Sequence, residues 1–193
     1  MNRLPLFGLA IVGVFALAQT AQAQDPYATL EFSLFSPGGT FVPKHITAVW
    51  VTTSTNAYIE TIYRAAANTN RFQWLSQWNA KRGTDLAVDG YTGATPISYV
   101  NPITATWDCL DRNNNPLPDG DYRIWVEFTE AHAQGPYTFV PFTKDASPHF
   151  VAPPDLPYIK DIQLNYVPEP VVLSLLTAGA LALVRRRAHA PRR

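Results

Sequence analysis

Apolar and polar positions alternate over most of the middle of this chain. Residues 29–35 place Leu30, Phe32 and Leu34 on one side, the period-two pattern of a half-buried strand. Residues 46–52 and 58–64 are β-branched and aromatic runs separated by Thr53-Ser54-Thr55-Asn56-Ala57, which predicts a hairpin. Residues 103–107 align Ile103, Ala105 and Trp107, while residues 122–129 align Tyr122, Ile124, Val126 and Phe128; these two runs are expected to pair. Residues 137–142 and 161–166 complete the set, the second with Ile162, Leu164 and Tyr166 on one face. Seven strands between Gly, Pro, Asn and Asp turns predict an all-β fold, an immunoglobulin-like β-sandwich over residues 24–166.

One stretch keeps a different period. From Asn68 to Asn79, Phe72, Leu75 and Trp78 recur at helical spacing and Trp74 lies four before Trp78, so one short helical insertion is expected to end before Gly83. A loop of about twenty residues then runs to Pro102, and loops of that length in a compact domain tend to carry function.

The two ends read as addresses. Arg3, an apolar run over residues 4–18 and Ala21-Gln22-Ala23 make residues 1–23 a cleavable secretory signal peptide; its rival, a retained anchor, would need a longer run. At the other end Val167-Pro168-Glu169-Pro170 precedes an uncharged run, 171–184, and then Arg185, Arg186 and Arg187. The arginines place that end on the cytoplasmic side of a transmembrane helix and residues 24–166 outside, in agreement with the signal. Such a helix spans roughly 21 Å, short of a hydrocarbon core of about 30 Å, and snorkelling arginines shorten the gap. A buried core helix is the alternative, and the arginine cluster speaks against it.

Charge sharpens this picture. The chain of 193 residues carries 15 basic and 15 acidic side chains, but residues 24–166 hold nine against 14, a net of about −5. That argues against nucleic acid as a partner, since binding needs a basic face to replace counterions. Seventeen prolines, ten glycines and 12% aromatic residues argue against a coiled coil or helical bundle. Cys109 is the only cysteine, which excludes a disulfide within the chain; a half-buried packing role beside Trp107 is expected rather than reactive chemistry.

Candidate chemistry is sparse. No Gly-x-Ser-x-Gly elbow, P-loop or dinucleotide fingerprint occurs, so no catalytic residues are assigned and an enzymatic role is not expected. His45, His132 and His149 have no metal-ligand spacing and read as structural or surface residues, so no metal site is assigned. Asp111, Asn113 and Asn115 start like a calcium loop, but Pro116 and Tyr122 stand where such a loop needs Gly and Glu; an Asx-rich turn is the better reading.

Four resemblances add to this. The order Val-Pro-Glu-Pro, apolar helix, arginine cluster in residues 167–193 resembles the PEP-CTERM sorting tail of exported bacterial proteins. It implies recognition of Pro168, Glu169 and Pro170 by an exosortase, with Arg185, Arg186 and Arg187 as the cytoplasmic stop and signal peptidase as a further partner. The series from Thr106-Trp107-Asp108 through Pro118-Asp119-Gly120-Asp121-Tyr122 resembles a hairpin in the immunoglobulin-like domain of flagellar-hook capping proteins, which implies a fold and no hook function. Asp89-Gly90-Tyr91-Thr92-Gly93-Ala94-Thr95 resembles the motif at which an ApbE-type FMN transferase attaches FMN through a phosphoester. On that pattern Asp89, Thr92, Gly93 and Ala94 are recognised and the Thr95 hydroxyl is the acceptor; a chance match is on the order of one in a thousand.

The sequence of short motifs from Ala48-Val49-Trp50-Val51 to Trp125-Val126-Glu127 is similar to a family of uncharacterised periplasmic proteins. That family's genes often accompany membrane redox proteins of the PepSY type, which implies electron transfer through a covalent FMN and a membrane redox partner. This chain differs by its sorting tail and by Cys109 where a Gly is usual. Two functions follow: a flavinylated extracytoplasmic electron carrier with Trp74, Trp78 or Tyr91 stacked on the flavin, or a non-catalytic structural or interaction module of the envelope or extracellular matrix.

Overall fold

The structure is a computed structural model that describes residues 25–169. The expected signal peptide, Pro170, the expected transmembrane helix over 171–184 and Arg185, Arg186 and Arg187 lie outside the described residues. Among those described, no helix is long and apolar enough to cross a membrane.

Among the described residues, nine strands form two sheets, with two short helical segments between the third and fourth strands. The strands are β1 (Tyr27–Leu34), β2 (Ile46–Thr53), β3 (Tyr58–Ala65), β4 (Tyr91–Gly93), β5 (Ile103–Trp107), β6 (Gly120–Thr129), β7 (Tyr137–Lys144), β8 (His149–Val151) and β9 (Ile159–Val167). One sheet has the order β5-β1-β9-β8 and the other β4-β3-β2-β6-β7. Their inward faces meet in one core, to which alternate residues contribute: Leu30 and Phe32 from β1, Ile124, Val126 and Phe128 from β6, Ile162 and Leu164 from β9. The chain is therefore an all-β sandwich, as the alternation predicts.

The expected β2–β3 hairpin forms, with Val49 opposite Tyr63 and Val51 opposite Glu60. The expected pairing of residues 103–107 with 122–129 does not. β5 pairs with β1, β6 pairs with β2 and β7, and so the chain crosses between sheets after Trp107. The turn between them imitates a hairpin because Leu110 and Pro116 make a single bridge, and Asp111 accepts from the Asn113 and Asn115 amides at 2.8 and 2.9 Å. Those bonds make the Asx turn.

The helical insertion covers the outer face of the five-stranded sheet. Asn68 caps a 3-10 turn (Thr69–Trp74) by accepting from the Asn70 amide, and α1 (Ser76–Arg82) follows after Leu75 and stops at Gly83, whose φ is +59°. Phe72, Leu75 and Trp78 pack on Ile46, Ala48 and Trp50, a second core separate from the first. β2 is consequently buried on both sides, which explains its nearly unbroken apolar run. The loop after Gly83 contains the short strand β4, parallel to β3, where an unstructured run was expected.

Candidate functional site

The 89–95 segment is held along β3 by its backbone. The Asp89 amide donates to the Thr61 carbonyl at 2.8 Å, and the Ala66 amide donates to the Gly93 carbonyl at 3.1 Å. Gly90 has a φ of +124°, and a Cβ there would collide with the Ile62 carbonyl, so only glycine lets the segment approach this closely. Thr92 Oγ1 accepts from Arg64 at 3.2 Å, while Arg64 also donates to the Leu86 carbonyl at 2.9 Å and lies over the Phe72 ring.

Thr95 is half-buried at the edge of a shallow depression, where its Oγ1 accepts from the Ala67 amide at 3.2 Å. Lys44, His45, Arg71, Trp74 and His132 line the same depression. Trp74 and the exposed His132 stack with ring centres 5.1 Å apart. His45 is buried, stacked on Tyr99 at 4.4 Å, and its Nδ1 lies 3.1 Å from the Pro43 carbonyl. Burial lowers its pKa below 6.5 against the opposing pull of that carbonyl and of Glu130. Glu130 is itself buried but satisfied, accepting from Ser36, from the Gly39 amide and from the Tyr99 hydroxyl.

At the other end of the segment, Asp89 meets Glu60 of β3 and Asp108 just after β5, with one carboxylate oxygen of each within 4.8 Å of the others. Burial pushes the Glu60 carboxyl up to about 8, and the charges of Asp89, Asp108 and Asp111 push the same way, while the Trp107 indole opposes them. Asp89 is raised by burial and then by Asp108. Among the described residues, this is the group of side chains that converges as metal ligands do.

Residues 44–152, more than half of the chain, match the predicted periplasmic protein family DUF2271. The chain belongs to that family. No curated protein and no solved structure matches it. The DUF2271 match runs from just before β2 to just past β8, so it takes in the helical insertion and the whole 89–95 segment but neither β1 nor β9. The expected likeness to periplasmic proteins is thereby shown, and with it the export of the chain.

Within this DUF2271 domain the other sequence candidates separate clearly. Trp78 is fully buried, with its indole donating to Thr61 at 2.8 Å, so it has no face to offer a ligand. Tyr91 is 53% exposed and stacks on Tyr63 at 4.8 Å, and Trp74 is half-buried; both remain available at the surface. Cys109 is 1% exposed rather than half-buried, and burial raises its thiol to about 12, which makes it inert. His149, on β8 of the four-stranded sheet, pairs with Asp145 at 2.9 Å and does not line the depression that His45 and His132 share. Pro168 and Glu169 follow β9 directly.

Glu60 was missed by sequence reasoning. Its signal is its register: it stands opposite Val51, two residues before the core residue Ile62, and therefore on an inward position where a carboxylate is out of place.

Proposed function

We propose that this exported envelope protein carries FMN covalently on Thr95, attached by an FMN transferase, and passes electrons to a membrane redox partner. The observation that supports this reading is the position of the Thr95 hydroxyl beside Lys44 and Arg71, two cations able to balance a phosphodiester, and beside the stacked Trp74 and His132. The residues fit a surface-held flavin. The depression itself measures about 20 Å³, room for little more than one water, so the ring system would lie outside it against Trp74 or Tyr91. The bound flavin would supply the redox chemistry, and the protein its position and electrostatics.

The sandwich itself we read as immunoglobulin-like. The order β3-β2-β6-β7 follows that of the C′-C-F-G sheet, β1 and β5 pair as B and E do, and β9 occupies the place of strand A. The tail supports a further step, in which an exosortase recognises Pro168, Glu169 and Pro170 and releases or re-anchors the domain. A structural or interaction module of the envelope is the second reading, favoured by the shallowness of the Thr95 depression.

The intact mass of exported protein, made with and without an FMN transferase, tests both. The expected mass is higher by one FMN less water with the transferase and unchanged in Thr95→Ala. An unmodified wild-type mass overturns the flavin reading and leaves the structural module. The same spectrum reports whether the residues after Pro170 have been removed.

A further inference from the structure

The carboxylates of Glu60, Asp89 and Asp108 come from three separate segments, β3, the start of the 89–95 segment and the end of β5, and converge within 4.8 Å. Clustered acids alone mean little, because exposed ones repel each other harmlessly in water. Glu60 is different. It is 3% exposed, and its Oε1 is buried without any hydrogen-bond partner. Among the described residues, the other buried carboxylates, Glu127 and Glu130, have their oxygens satisfied. An orphaned acceptor in a native core calls for a missing partner.

No side-chain hydrogen bond reaches that oxygen: the Trp107 indole N–H, near enough to oppose the rise of the Glu60 carboxyl, is spent on the Leu110 carbonyl at 2.9 Å. Arg112, which lines the depression over Glu60, is engaged with Asp85 at 2.9 Å. Asp111 is bound to its own turn through Asn113 and Asn115. Asp108 accepts from the Leu110 amide through Oδ1 alone. The depression holds about 160 Å³, enough for an ion and several waters.

We infer that Glu60, Asp89 and Asp108 form a binding site for a hard divalent cation of the calcium type. Hard cations take six to eight oxygens at about 2.3–2.6 Å, so oxygens on opposite sides of one ion lie about 4.6–5.2 Å apart, which matches the observed spread. Three carboxylates supply part of that shell and the open depression admits water for the rest. Gly90 is the device that brings Asp89 in, since any side chain there would push the segment off β3. The ion ties the 89–95 segment to β3 and β5 whether or not Thr95 carries a flavin.

The test uses exported protein treated with EDTA and then dialysed, titrated with calcium chloride by calorimetry and followed by thermal melting. Potassium chloride at equal ionic strength is the control. One ion is expected to bind with a Kd of about 0.1–1 mM, the range of extracellular calcium modules, and 10 mM calcium is expected to raise Tm by about 3–10 °C. Glu60→Gln and Asp108→Asn each lose at least tenfold in affinity; the second keeps the oxygen that caps the Leu110 amide and so preserves the turn. Thr95→Ala binds calcium as the wild type does, which separates this site from the flavin reading. No calcium heat in the wild type, an equal Tm rise with potassium, or undiminished binding by both carboxylate variants would overturn the site.

Discussion

Glu127 and Glu60 are buried carboxylates on opposite faces of the same five-stranded sheet. Glu127 lies on the outer face under α1, 0% exposed, where the Gln77 and Trp78 amides donate to its two oxygens at 3.2 and 2.9 Å. Glu60, 3% exposed, lies on the inward side near two further acids, with Oε1 unpaired. Burial raises both carboxyls, Glu127 to about 7 and Glu60 to about 8, and only Glu127 is held back by backbone N–H groups. A helix of seven residues is too short to stand alone, so the Glu127 contact and the packing of Trp78 are what hold α1 on the sheet. The difference teaches that burying a carboxylate is not in itself a functional signal. Whether the chain also supplies its partners is the signal.

The largest effect that tests this comparison is expected at Trp78. Trp78→Ala removes the centre of the outer core and the bond to Thr61, and should cost about 3–5 kcal/mol in urea unfolding. A smaller loss would mean that α1 is not a structural part of the domain. Glu127→Gln comes next, because its amide sets an N–H group against a backbone N–H; a loss of about 1–3 kcal/mol is expected, with α1 the first segment to exchange its amide hydrogens.

The same substitution at Glu60 should have the opposite sign in calcium-free protein at alkaline pH. Removing a buried, unpaired charge from among other acids should stabilise the fold by up to about 1 kcal/mol. A loss there as great as that of Glu127→Gln would erase the contrast between the two faces.

The smallest effect is at His45, where the response to pH is of the reverse kind to that of a raised carboxyl. Its folded pKa lies below 6.5, so the unfolded chain takes up the proton first. Its contribution is full above pH 6.5 and is lost as pH falls toward the folded value. His45→Phe keeps a ring against Tyr99 and should flatten the fall of Tm below that pH relative to the wild type. An unchanged profile would show that His45 titrates freely.

Much of the sandwich was legible in the chain because strand alternation is a local property. Leu30, Phe32 and Leu34 had to share a face whatever lay opposite, and Phe72, Leu75 and Trp78 pack in one cluster although the expected single helix is broken at Leu75 into a 3-10 turn and α1. Pairing was legible only where a short turn joined the partners, as between β2 and β3. Residues 103–107 and 122–129 looked like a second hairpin, yet the Asx turn between them leads from one sheet to the other, a choice made by which distant strands lie alongside.

The same boundary divides the candidate sites. The Asp89–Thr95 motif is contiguous, so its residues and its place in a loop could be read directly, and so could export, on which the family agrees. The company those residues keep could not: Lys44, Arg71 and His132 line one depression with Thr95, and Glu60 and Asp108 converge on Asp89, from segments far away in sequence. Hydrophobic period, turn chemistry and short motifs are set by neighbours along the chain. The burial of Glu60, the removal of Trp78 from the surface and the convergence of three carboxylates are set by neighbours in space, and only packing the sheets together decides those.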